Sequence, residues 1–183
     1  ADEPLPSTKI EALPLSAALP TDTPEKVKLG RLLFFDPILS ATGDVACATC
    51  HHPQHGWADA RPTPLGVHAI GIGPQRKLAP KAEFMPLRRN TPTILNAAFN
   101  GIASGQAFDP SKAPMFWDNR VQSLEAQVLG PIRQREEMRG DVCSENEAVP
   151  AMVARLKAIP AYRVLFDGEI TADKVSQAIA ASL

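Results

Sequence analysis

Apolar residues recur at helical spacing in five places along this chain. In "TPEKVKLGRLLFF", Thr23 offers an N-cap, Pro24 suits the first helical position, and Val27, Leu29, Leu32 and Leu33 fall toward one side, predicting a helix over residues 23–34. "NTPTILNAAF" repeats the Thr-Pro start at Thr91 and Pro92 and predicts a second helix. "VQSLEAQVL" is a helical run that Gly130 and Pro131 should stop. Val149, Val153 and Leu156 make one stripe, and Val175 and Ile179 make another after a Thr171 cap. Period-two runs of β-branched and aromatic residues are missing, and 18 prolines, 5% aromatic residues and one tyrosine oppose a β-sandwich. The fold class expected is all-α. Residues 60–90 and 101–116 are rich in Pro and Gly with weak periodicity, and irregular stretches of that length are functional or disordered. Pro4, Pro6, Pro14 and Pro20 give residues 1–22 the character of an extended arm, leaving 23–183 as one domain.

Composition narrows the partners. At 183 residues and 44% hydrophobic, the chain is long enough for one ordinary core. Its 19 basic and 20 acidic residues give a formal charge of −1, so no overall field favours nucleic acid or a membrane surface. No apolar run is long enough to span a bilayer. The opening "ADEPLP" lacks a methionine, as a secreted chain does once its signal peptide is removed.

One segment changes the picture. "DVACATCHHPQHGWAD" holds two of the three cysteines and three of the four histidines. Within it, Cys47, Cys50 and His51 form C-x-x-C-H, the attachment signature of c-type haem. On a helical turn the two sulfurs can each form a thioether to a haem vinyl carbon while the next residue turns its imidazole to the iron. A redox dithiol would need a βαβ setting, and a structural zinc would need a further ligand pair, for which Cys143 alone is thin material. His52 and His55 read as surface or haem-edge residues. His68, in the long loop, is a weaker candidate for the iron's sixth position. Cys143 reads as a partner in a disulfide outside this chain or as a buried free thiol.

At this point the sequence resembles the bacterial di-haem cytochrome c peroxidases and MauG. The likeness rests on "LGRLLFFDPILS", "CATCHHPQHGWAD", "RNTPTILNAAFN", "FWDNR", "SLEAQVLGPI", "EEM" and "VARLKAIPAYRVLF", in that order. It implies a cytochrome c-like haem domain in the periplasm that reduces or uses hydrogen peroxide. Gln127, Pro131 and Glu137 keep the family's spacing for the peroxide pocket. Heterolytic cleavage of peroxide must carry a proton from one oxygen to the other, a task for Glu137. Gln127 would orient the peroxide and Pro131 shape the pocket. Trp117 resembles the tryptophan that relays electrons between the family's two haems, with a hydrogen-bonded core aromatic as the plainer reading. Asn90 resembles an asparagine near a calcium ion, although calcium needs several oxygen ligands. Arg89 and Arg120 are candidate partners of haem propionates, and Trp57 is expected near the haem edge.

The departures set further expectations. Family members carry a second C-x-x-C-H in a C-terminal half, whereas this sequence has one and ends at "VSQAIAASL". That fits an N-terminal fragment lacking its electron-feeding haem domain, or a monohaem variant. Two functions follow: a peroxidase-like or MauG-like enzyme with an open sixth position, or an electron carrier whose iron is closed by Met85, Met115 or His68. The enzyme would draw electrons from a small periplasmic cytochrome or copper protein, or act on a protein substrate.

Overall fold

The computed structural model describes residues 22–83, 87–102 and 107–183. The expected N-terminal arm, Asp22 excepted, and Met85 lie outside the described residues.

The predicted first helix is present as α1, Pro24–Phe35, with the Thr23 hydroxyl accepting from the Lys26 N–H at 3.2 Å. Its buried face is Leu29, Gly30, Leu33 and Phe34, while Val27 and Leu32 stay largely exposed, because the 29/33 and 30/34 pairs each return after about one turn and Leu32 does not share their direction. A Cβ on Gly30 would collide with the backbone of Ala178, so the missing side chain lets α1 cross closely over α6, Ala172–Ala181. That last helix has the predicted Thr171 cap and buries Val175 and Ile179.

The central helix, α3, covers Leu124–Arg133 and continues through Gly130 and Pro131 rather than stopping there. Pro131 lacks only an N–H, which leaves the Gln127 carbonyl without its usual helical donor while the turn itself persists. A single π-turn follows at Arg135–Arg139. Helix α4, Glu145–Ala158, starts from a reciprocal cap between Ser144 and Glu147 and buries Val149, Met152 and Leu156. A short α5, Pro160–Leu165, had no counterpart in the periodicity reading.

No α-helix forms at Thr91–Phe99. Residues 91–94 have no regular secondary structure, Asn96 has φ +60°, and only a 3₁₀ turn at Ala97–Phe99 remains. The Thr93 hydroxyl donates to the Gly56 carbonyl at 2.6 Å, so this segment is tied to the C-x-x-C-H loop instead of coiling on itself.

The other irregular stretches contain two small antiparallel pairs. β1, Ala69–Ile70, pairs with β2, Lys77–Leu78, and β3, Pro114–Met115, pairs with β4, Val121–Gln122. The main core lies between α1, α3, α4 and α6, centred on Leu33, Leu39, Met152, Leu156, Val175 and Ile179. Arg155 of α4 donates to the carbonyls of Ile38 and Leu39, and Tyr162 of α5 donates to Asp36, fixing the chain that leaves α1.

Candidate functional site

The segment leading to the cysteines is set by one buried hydroxyl. Ser40 Oγ accepts from the N–H groups of Asp44 and Val45, both at 3.2 Å, turning the chain so that Val45 and Ala46 enter the core. The Ala41 N–H donates to the Met138 carbonyl at 2.8 Å, which joins this turn to the π-turn. Helix α2, Cys47–Cys50, is one turn, closed by the His51 N–H on the Cys47 carbonyl at 2.9 Å.

Cys47 and Cys50 therefore stand on one helical turn, and neither is in a disulfide. Burial pushes both thiols up to about 12, so each is a neutral S–H in the free chain. His51 Nδ1 lies 3.1 Å from the Trp57 carbonyl, and a proton there leaves Nε2 as the ring's basic nitrogen. Burial lowers the imidazole's affinity for a second proton. Gly56 and Trp57 both adopt left-handed conformations, at φ +64° and +60°, within the loop whose Trp57 carbonyl meets His51. The loop is closed by His52 N–H to Ala58 O and Trp57 N–H to His52 O, each 3.0 Å. Two neutral thiols and an oriented, neutral imidazole are the donor set that a covalent haem requires, so the residues present fit that group.

Glu137 belongs to the same neighbourhood. Its charge acts on both Cys47 and Cys50, and burial pushes its own carboxyl up to about 7, with Arg120 opposing and Glu136 adding to the rise. Glu136 turns elsewhere: its oxygens accept from Gln134 at 2.8 Å and from Arg135 at 3.4 Å. Gly66 lies against the π-turn so closely that a Cβ would strike the carbonyls of Glu136 and Glu137. Gln127 and Pro131 sit half-buried one turn apart on α3, on the stretch that runs into the π-turn.

The remaining candidates spread outward. Trp117 is 62% exposed, so it is no core aromatic, yet its indole N–H is fixed on the Asn90 carbonyl at 2.8 Å. The Asn90 amide in turn donates to the Arg61 carbonyl. Among the described residues no cluster of three His, Cys, Asp or Glu side chains could hold a metal ion. Arg89 and Arg120 both bind Asp118, each at 2.7 Å, and Arg120 also lies 3.8 Å over the Phe116 ring. Trp57 packs edge-on against Phe34 and Phe35, with centroids 5.9 and 6.4 Å away. The His52 and His55 rings are 5.6 Å apart. His68 has φ +59°, its ring lies beside Gly140, and its charge acts on Asp141. Met115 is buried with Ala113 and Leu124, and its sulfur is 3.7 Å from the Asn100 amide nitrogen. Cys143 is half-buried and forms no disulfide within this chain.

Three residues near the site went unread in the sequence. Arg76, 4% exposed, bonds the carbonyls of Leu65, Gly66 and Gly71 and so shapes the strip that lies on Glu137. Gly66 permits that contact, and Asp59 is fully buried in charge reach of His51 and Cys50. A single Arg within the apolar, glycine-rich "GIGPQRKL" was the only available signal for the first.

An all-α domain with this donor set defines a c-type cytochrome. The model of the di-haem cytochrome c peroxidases matches residues 24–182, and the chain belongs to that family. It is 42% identical over 156 residues to the methylamine utilization protein MauG of Methylorubrum extorquens, an alignment covering 85% of this chain and 34% of that protein. It is 31% identical over 172 residues to the cytochrome c551 peroxidase of Nitrosomonas europaea, covering 91% and 41%. The fold is shared with the di-haem peroxidase BthA of Burkholderia thailandensis, at a TM-score of 0.64, 21% identity and coverage of 91% and 40%. The chain thus spans about a third to two fifths of the length of these relatives. Family membership implies a c-type haem.

Proposed function

We propose that this chain is the peroxide-handling haem domain of a periplasmic oxidoreductase, carrying one haem c through Cys47 and Cys50 with His51 as the proximal ligand. The haem supplies an iron at which peroxide can be reduced or turned to oxidation of another molecule. His51, held by the Trp57 carbonyl, keeps its free nitrogen directed away from that bond. Glu137 accepts and returns the proton that passes between the peroxide oxygens. Gln127 offers an amide to orient peroxide or water, and Pro131 adds bulk without a competing ligand. Trp117 passes electrons from a second haem or a partner, in keeping with its exposed ring and fixed indole N–H. Electrons would come from a small cytochrome c or copper protein, or the domain would oxidise a protein substrate. The Asn90 carboxamide would serve a calcium ion only together with oxygens from elsewhere in the protein.

The observation that carries this reading is the half-buried Glu137 on the π-turn, its carboxyl pushed up to about 7 and in charge reach of Cys47 and Cys50. An electron carrier has no use for such a group. Met115 also belongs to an apolar cluster separate from the core against which Cys47 packs, which gives no support to its closing the iron. The test is to follow the absorption spectrum of the haem-loaded chain on adding stoichiometric hydrogen peroxide. The proposal expects a high-spin ferric spectrum that changes within the mixing time or soon after. A low-spin spectrum indifferent to peroxide, before and after reduction, contradicts it.

A further inference from the structure

We infer that Phe116 sets the size of peroxide this site admits, its ring held against Gly130 as a fixed wall that favours hydrogen peroxide over alkyl hydroperoxides. The inference rests on the peroxide-site reading above and extends it to the substrate class.

Phe116 begins the turn of residues 116–120 that joins β3 to β4. Its backbone is left-handed, at φ +66°, a conformation costly for a large side chain and kept where the surrounding structure enforces it. Two hydrogen bonds do so here: the Asn119 N–H donates to the Phe116 carbonyl at 3.2 Å, and the Ser123 N–H to the Ala113 carbonyl at 2.9 Å. The ring reaches α3, where a Cβ on Gly130 would stand only 2.9 Å from Phe116 Cζ, so any side chain at that position would push the ring away. Over the face of the ring lies the Arg120 guanidinium, 3.8 Å from the centroid. Arg120 is itself bonded to Asp118, which also accepts from Arg89. The ring is therefore held by a helix backbone at its edge and a braced cation on its face.

The position of Gly130 gives that contact its meaning. Gly130 lies about one turn after Gln127 and next to Pro131, and all three are half-buried, while Leu124, Val128 and Ile132 form the buried side of α3. Phe116 is half-buried too, so its ring stands on the accessible side of α3 that carries both pocket residues. The guanidinium stacked on it also opposes the rise of the Glu137 carboxyl, which places it in charge reach of that group. An amide and a carboxyl can orient and protonate a peroxide, but an aromatic ring can do neither. What a fixed ring adds is a limit on volume. Hydrogen peroxide has only hydrogen on its second oxygen, whereas an alkyl hydroperoxide carries a carbon group that must find room beside the ring. The O–O bond to be broken is the same in both, so discrimination between them is a matter of space.

The test compares the haem-loaded chain with hydrogen peroxide and tert-butyl hydroperoxide in stopped flow, and titrates its ferric haem with cyanide and with phenylimidazole, a small and a bulky ligand, at equilibrium. In the parent the smaller member of each pair should be strongly preferred. Phe116→Ala should raise the rate with tert-butyl hydroperoxide relative to hydrogen peroxide by about tenfold, and tighten phenylimidazole relative to cyanide by a similar factor, with Phe116→Leu in between. Unchanged ratios in the haem-loaded variants overturn the inference, as does a parent that takes both peroxides equally. Where Phe116→Ala takes up no haem, Phe116→Leu decides, and a Phe116→Leu chain that also takes up none overturns the inference, because the ring would then serve the core. A parent chain indifferent to hydrogen peroxide defeats the peroxide-site reading first.

Discussion

The helical body and the irregular stretch between α2 and α3 are held by different forces. In the body, fully buried Leu33, Met152, Leu156, Val175 and Ile179 interdigitate across three helices, and polar side chains serve mainly at the caps. Between residues 59 and 123 regular ladders are two residues long, and arginine side chains replace them: Arg61 and Arg76 each bond three backbone carbonyls. The body gains stability from area removed from water, which tolerates small shifts. The arginine-braced loop gains position, because a planar guanidinium fixes several carbonyls at once. Glu137 stands where the two meet, on a turn launched by α3 and pressed by Gly66 of the braced loop.

Several substitutions would separate the two regimes. The largest effect is expected from removing both thiols: Cys47→Ala with Cys50→Ala should abolish covalent haem, read as intact mass under denaturing conditions. In the body, Leu156→Ala should destabilise by about 2–5 kcal/mol, lowering Tm by several degrees in a thermal melt, with the haem spectrum unchanged. In the braced loop, Gly66→Ala should leave the circular dichroism as it was but displace Glu137, slowing the reaction with peroxide on the order of 100-fold in stopped flow. Arg76→Met should speed hydrogen exchange over residues 65–71 with little change in Tm, and Arg76→Lys should recover only part of the protection, since an ammonium cannot replicate the fork. If Leu156→Ala altered the peroxide rate as strongly as Gly66→Ala does, the division between the two regions would fail.

The same division explains what could be read from the sequence. Helices α1 and α6 were legible because caps and periodic apolar residues agree there, at Thr23 and Thr171, and α4 was legible from its apolar stripe alone. The Thr91–Phe99 segment misled because its Thr-Pro start imitates a cap, while its hydrogen bonds go to the distant Gly56. The end of α3 was misplaced because the helix tolerates the one donor that Pro131 withholds from Gln127, and the π-turn, not a break, follows. The Cys47, Cys50 and His51 signature was visible from spacing alone, and the structure puts the two cysteines on one helical turn. Glu137 emerged only through the family's pattern, since in "RQREEMRG" nothing distinguishes it from Glu136; the structure separates the two by the raised carboxyl of Glu137 and by the bonds Glu136 makes to Gln134 and Arg135. Arg76 and Asp59 depend on contacts across loops, which leave no periodic trace.

The central claim is that Glu137 carries the proton, and the pH dependence of the peroxide reaction tests it most directly. A raised carboxyl is protonated below its pKa and can accept a proton only above it. The initial rate should therefore rise with pH through about 7 and then level, and Arg120→Gln should move that midpoint upward by removing the one cation that opposes the shift. Glu137→Gln should be slower by about 10²–10⁴-fold and flat across the same range. A Glu137→Gln variant that keeps both the rate and the rise near pH 7 would contradict the account.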